Sequence, residues 1–283
     1  MIHYGLVIAA TILFSLQFFF NQRFQRSYGA DLKASLVFSL YKSIVIIVIM
    51  LIISGFKVEL TWFSLLMAVL YAASGILMSY YSLKAFTVAN LSVFSVFSML
   101  GGMILPFFLG VIFYDEPLTV FKTICCALIV GAVLLNIRSG KQNKKALLYY
   151  FAVFFLNGMA GVISKIHQSS QYAHTDSTGF MILSSAVMTV ICAVWLLVGY
   201  RSIPLVKGKD LLFVSGYGVF NGVGNLFLLI ALSVLPASVQ YPLVTGGVMV
   251  CSTVISTVRR EKLTAKDYAA TAIALLASIF IAI

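Results

Sequence analysis

The sequence predicts an all-α polytopic membrane protein, and three observations carry that reading. Of 283 residues, 61% are apolar and only 10% are charged, where a soluble domain has roughly 25% charged residues. Mean hydropathy is +1.06. The apolar residues fall into ten runs of about twenty, the length a helix needs to cross ~30 Å of hydrocarbon. These runs lack the apolar/polar alternation of barrel strands, and lipid leaves the backbone no other way to satisfy its polar groups, so the spans are helices.

The first span, 3–21, has no basic stretch before it and runs into Asn21, Gln22 and Arg23 without a small-residue cleavage site, so a retained helix is expected. Phe14, Gln17, Phe18 and Asn21 share one of its faces by the i, i+3, i+4, i+7 rule. The second, 34–54, carries Lys42 eight residues in. Its long stem can snorkel to the near interface or pack between helices, and the other reading is contact with a solute's carboxylate or phosphate. The third, 62–83, includes Tyr71. The fourth, 88–113, adds Ser92, Ser95 and Ser98, and its Gly101, Gly102 and Pro106 fit either a bend or a straight helix with small packing residues. After the fifth, 119–137, the sixth, 146–164, brings Asn157, and the seventh covers 178–199. The eighth, 210–232, aligns Tyr217, Asn221 and Asn225 at i, i+4, i+8. The ninth, 237–258, holds Gln240, Tyr241 and Thr245, and the tenth covers 266–283.

Charge placement excludes several functions. The net charge of +11 would suggest nucleic acid in a soluble protein, but here the basic residues sit in short connections, where they set topology. Fifteen of the nineteen Lys and Arg fall in odd-numbered connections. Lys57, Lys122 and Lys165 fall in or beside even ones, and Lys42 lies within a span. Odd connections, Arg138 to Lys145 among them, are therefore expected in the cytoplasm and both termini outside. All eight acids lie at span ends or in connections, so a buried carboxylate relay for protons has no residue to carry it. Glu116 and Glu261 are read as caps of the helices that follow them rather than as gating groups. Cys125, Cys126, Cys192 and Cys251 lie in apolar runs as small hydrophobes. No metal-ligand spacing, catalytic triad or HExxH motif occurs, so neither an enzyme nor a cofactor is expected.

Shifting the chain by 145 residues brings Gly101 and Gly102 onto Gly246 and Gly247, and Glu116, Leu118 and Thr119 onto Glu261, Leu263 and Thr264. The chain thus divides into 1–140 and 141–283, two five-helix units. Five is odd, so the copies are inverted in the membrane, a construction common in secondary transporters.

The segment from Tyr81 to Asn90, the stretch Asp115 to Thr119, and Ala231 to Pro242 followed by Arg260 to Thr264 resemble the EamA-type family of the drug/metabolite transporter superfamily. The second half is also similar to small multidrug resistance proteins, whose Pro-x-Ser-x-x-Tyr pattern matches Pro236, Ser238 and Tyr241. The resemblance implies ten helices, alternating access and a site among the first, third, fourth, sixth, eighth and ninth spans. Lys42 and Lys84 stand where the family has basic residues. The family's Ser-Pro is here Gly102-Met103 and Gly247-Val248, and its Gly-Glu is Asp115-Glu116 and Arg260-Glu261. The embedded glutamate of the small multidrug resistance first helix has only Gln17 as a polar counterpart.

The expected substrate-binding set is Gln17, Asn21, Tyr71, Ser95, Asn157, Tyr217, Asn221, Asn225, Gln240 and Tyr241, lining a neutral, aromatic cavity. The expected partners are a small organic solute, of amino-acid or quaternary-amine type, and the lipid bilayer, with no nucleic acid, in a monomer or homodimer of the cytoplasmic membrane. The alternative is a non-transporting scaffold or accessory subunit of a lipid-linked pathway.

Overall fold

A computed structural model of the chain describes residues 2–88, 91–115, 119–121, 123–124, 127–128, 131, 144–261 and 263–282. Among the described residues the structure is helical, with nine long helices and no strand: α1 (Ile2–Tyr28), α2 (Leu32–Ile53), α3 (Trp62–Ala85), α4 (Leu91–Phe113), α5 (Lys144–Ser169), α6 (Ser177–Tyr200), α7 (Gly208–Leu232), α8 (Ala237–Val258) and α9 (Ala265–Ala282). The first eight are long and apolar enough to cross a membrane. Most of the fifth predicted span lies outside the described residues, and its described pieces from 120 to 131 are helical.

Side chains set the helix starts. Asp31 Oδ1 accepts from the Ala34 N–H at 2.7 Å, Thr61 Oγ1 from Ser64 at 3.2 Å and Asp176 Oδ1 from Gly179 at 2.7 Å, each satisfying a donor the first turn leaves open. Gly29, at φ +114°, ends α1 in a conformation that L side chains rarely adopt. Pro106 lies within α4, which is helical from Leu91 through Phe113 without local unwinding.

Glu261 corrects an expectation. It does not cap α9. Asp267 does so, accepting from the Thr264 N–H at 2.7 Å. Arg260, at φ 54°, closes α8 in the left-handed conformation, and the Glu261 N–H bonds back to Ser256 C=O at 3.0 Å. That turn folds the carboxylate over the end of α8, where it accepts from Ser256 Oγ at 3.1 Å and meets Arg259 at 3.3 Å and Arg26 at 3.4 Å. Glu116 lies outside the described residues.

Polar side chains are drawn into the apolar core of the bundle, and its outer surface is apolar. On α2, Ser35, Ser39, Lys42 and Ser43 are buried while Ile44, Val48 and Ile52 are exposed, and on α3 Trp62, Leu66 and Leu70 face outward. Water would make such a surface aggregate, whereas hydrocarbon accepts it. α1 packs chiefly on α7 and α8, α4 on α5 and α8, α2 on α6 and α7, and α3 on α5 and α6, with α9 against α8. Glycine permits the tightest of these crossings: a Cβ on Gly101 would overlap the Phe154 carbonyl, and one on Gly161 would lie 2.5 Å from Pro106 Cγ.

Candidate functional site

The first eight helices surround a cavity of about 140 Å³, close to the ~150 Å³ of an engineered cavity that admits a benzene. Of the ten residues predicted for the site, seven line it: Gln17, Tyr71, Asn157, Tyr217, Asn221, Asn225 and Tyr241. Gln17, Tyr71, Asn157 and Asn221 fall in the middle third of their helices, so the cavity sits near mid-depth of the bundle.

The structure places the other three outside the lining. Asn21, one turn beyond Gln17 on α1, donates to Ser82 Oγ at 3.1 Å. Gln240 is fully buried and donates to the Leu228 carbonyl at 2.6 Å, and Ser95 is fully buried in α4.

The polar wall is made of side chains that also tie helices together. Asn221 Nδ2 donates to Gln17 Oε1 at 2.6 Å, joining α7 to α1. Asn225 Nδ2 donates to the Asn221 carbonyl at 2.8 Å, and Asn157 Nδ2 to the Ser98 carbonyl at 2.7 Å. Tyr241 O–H donates to the Gly161 carbonyl at 3.3 Å, and Thr245 Oγ1 to the Met99 carbonyl at 3.1 Å. An amide offers both donors and acceptors. Each of the three Asn bonds uses one of the two N–H groups of its amide, so the second N–H and the side-chain oxygen of Asn157, Asn221 and Asn225, and the Gln17 Nε2, are left without a protein partner among the described residues. Gly102 makes room for Asn157, whose Nδ2 would lie 2.6 Å from a Cβ there.

The apolar wall pairs Tyr71 edge-on with Phe180 at 5.5 Å and adds Met78, Met99, Met181 and Met188. Sequence reasoning missed these methionines, because an apolar residue facing a cavity reads the same as one facing lipid. For Lys42 it left snorkelling or packing open beside contact with a solute, and the stem does not snorkel: the residue is 6% exposed, its Nζ donates to Ser79 Oγ at 2.6 Å, and it lines the cavity.

No family model and no curated protein matches the sequence. Among solved structures, a protein crystal structure with 14% identical residues matches 99% of this chain and 96% of its own length at a TM-score of 0.71. That likeness shows the fold. At such identity it says nothing of function.

Two polar clusters lie away from the cavity. One to two turns past Gln17 on α1, Arg259 donates to Gln22 Oε1 at 2.7 Å and stacks over Phe19 at 4.8 Å, beside Glu261. Burial lowers the Arg259 pKa and Glu261 opposes that shift, so the guanidinium stays charged at any physiological pH. Where α3 begins and α5 ends, His167 Nε2 lies 2.9 Å from Ser64 Oγ, which also accepts from the Thr175 N–H at 2.9 Å. This Ser–His pair was not visible in the sequence. Both side chains are fully buried, and the cluster ties three segments together instead of presenting a nucleophile. Among the described residues no group of three His, Cys, Asp or Glu is placed to hold a metal.

Proposed function

We propose that the protein is a secondary transporter of the EamA type that moves a small organic metabolite, of amino-acid or quaternary-amine character, across the cytoplasmic membrane by alternating access. The observation that carries this reading is the mid-bundle cavity, polar on one wall and aromatic and methionine-rich on the other, in a chain whose outer surface suits lipid. Its size favours a solute about as large as one ring or one amino-acid side chain. On this reading the protein catalyses no reaction and needs no cofactor.

The reading takes the chain as ten crossings in two inverted halves, 1–140 and 141–283, which rock against each other. Helix packing supports it. Pairing α1 with α5, α2 with α6, α3 with α7 and α4 with α8 exchanges neighbours consistently: α1 lies on α7 as α5 lies on α3, and α4 on α5 as α8 on α1. The glycine pair recurs in kind, since a Cβ on Gly247 would lie 2.5 Å from Thr11 of α1, much as one on Gly102 meets Asn157 of α5. Both termini are proposed to face outward, from the distribution of Lys and Arg.

The test is counterflow. Liposomes holding the purified protein and loaded with unlabelled amino acids and quaternary amines should take up labelled members of the same set, saturably. A protein that moves nothing alone, yet restores a lipid-linked pathway in its host, would be the accessory subunit instead.

A further inference from the structure

We infer that the cavity takes its solutes by a carboxylate, with Lys42 as the counter-ion. This rests on the transporter reading and narrows it. The ammonium is held in place by a relay: Lys42 Nζ donates to Ser79 Oγ at 2.6 Å, and Ser79 Oγ donates to the Gly75 carbonyl at 2.8 Å. The rings of Phe38 and Tyr217 flank it at 5.5 and 5.4 Å. Those faces offset part of the cost of burial but offer no hydrogen-bond acceptor. An ammonium has three N–H donors. Ser79 takes one, and among the described residues the other two have no protein acceptor.

Among the described residues the lining contains no Asp or Glu. A buried cation without an anion is unfavourable, and an arriving carboxylate removes that imbalance in a low-dielectric site where the pair is strong. Packing alone does not require the charge, since Ile46, one turn further along α2, lines the same cavity as a hydrocarbon. The remaining groups decide between anions. One cation and about 140 Å³ suit a singly charged carboxylate, whereas the second charge of a phosphate would meet no further cation among the described residues of the lining. The side-chain oxygens of Asn157, Asn221 and Asn225 can accept from an ammonium or hydroxyl on the solute, so both zwitterions and simple carboxylates fit. A quaternary amine meets a like charge and is disfavoured.

The experiment measures binding to the purified full chain in detergent, by thermal shift and titration, with benzoate, L-phenylglycine, benzamide and benzylamine. Benzoate and phenylglycine are expected to stabilise the protein and to bind at least about tenfold tighter than benzamide, as a charge-assisted bond exceeds a neutral one. Benzylamine should have no effect. In Lys42→Gln the preference of benzoate over benzamide should vanish. The proposal is overturned if benzamide or benzylamine binds as well as benzoate, if neither carboxylate binds at high millimolar concentration, or if Lys42→Gln keeps the preference. The wild-type comparison decides alone should the variant fail to fold. Comparing phenylglycine with benzoate separates zwitterion from simple anion. Counterflow with the same four compounds separates the two readings: amine flux without carboxylate flux sinks the carboxylate and keeps the transporter, and carboxylate binding without any flux does the reverse.

Discussion

Gln17 and Asn221 each serve two purposes, because the 2.6 Å bond that joins α1 to α7 lies on the cavity wall. Asn221→Ala leaves the Gln17 carbonyl without its donor. The expected cost is about 1 to 3 kcal/mol, read as a lower melting temperature of the ligand-free protein, together with roughly 5- to 150-fold weaker solute binding. Combining it with Gln17→Ala should cost less than the sum of the two, by about 0.5 to 1.5 kcal/mol, since the bond can be lost only once. Strict additivity would mean the two side chains do not depend on each other. The amide face was legible because helical spacing of 4 and 8 aligns Tyr217, Asn221 and Asn225 whatever surrounds them. Asn21 shares the Gln17 face but sits one turn beyond, where Ser82 of α3 meets it. Lys42 was legible only as an open choice, since eight residues into a span a lysine reaches either interface or interior. Its neighbours Ser79, Phe38 and Tyr217 come from three helices that no local pattern connects to it.

At the scale of elements, the α4–α5 crossing depends on the absence of side chains. Gly101→Ala would drive a methyl into the Phe154 backbone, and backbone cannot yield as a side chain does. A loss of about 1 to 3 kcal/mol or more is expected, measured as lower melting temperature and yield. Gly5→Ala is the control: nothing lies within 4 Å of its Cβ position, so the substitution should be neutral or stabilise α1 by up to ~1 kcal/mol through helix propensity. Equal effects at both positions would mean the crossing is looser than described. Hydropathy located the spans because lipid demands about twenty apolar residues, but it misjudged their ends. It marks where the chain leaves lipid, not where the helix stops: α1 continues from the predicted 21 to Tyr28, and its extra turns are held by Arg259 bonding Gln22 and by Arg26 beside Glu261. The Glu261 expectation failed for a related reason. Sequence order places it before α9, while the left-handed turn at Arg260 places it over α8.

For the molecule as a whole, the proposed topology rests on the basic connections. In a background without the four native cysteines, Ser202→Cys, in an exposed odd connection, should react with an impermeant thiol reagent only from the cytoplasmic side. Ser233→Cys, exposed in an even one, should react only from outside. The opposite pattern would reverse the orientation. The proposed coupling rests on the cavity lining, which among the described residues has no carboxylate to carry a proton. Counterflow at fixed voltage should therefore be unchanged by imposing or collapsing a pH gradient, and strict dependence on that gradient would point to a proton carrier other than a carboxylate, with Lys42 of the lining the first to test.

Alternating access requires that one cavity be reached from each side of the membrane in turn, and a single cysteine inside it reports on both openings. Ser74 lines the cavity from α3. In the background without native cysteines, Ser74→Cys should be labelled by an impermeant thiol reagent applied from either side of sealed, oriented vesicles, and saturating solute should slow both reactions. Labelling from one side only, or from neither, would contradict alternating access through this cavity.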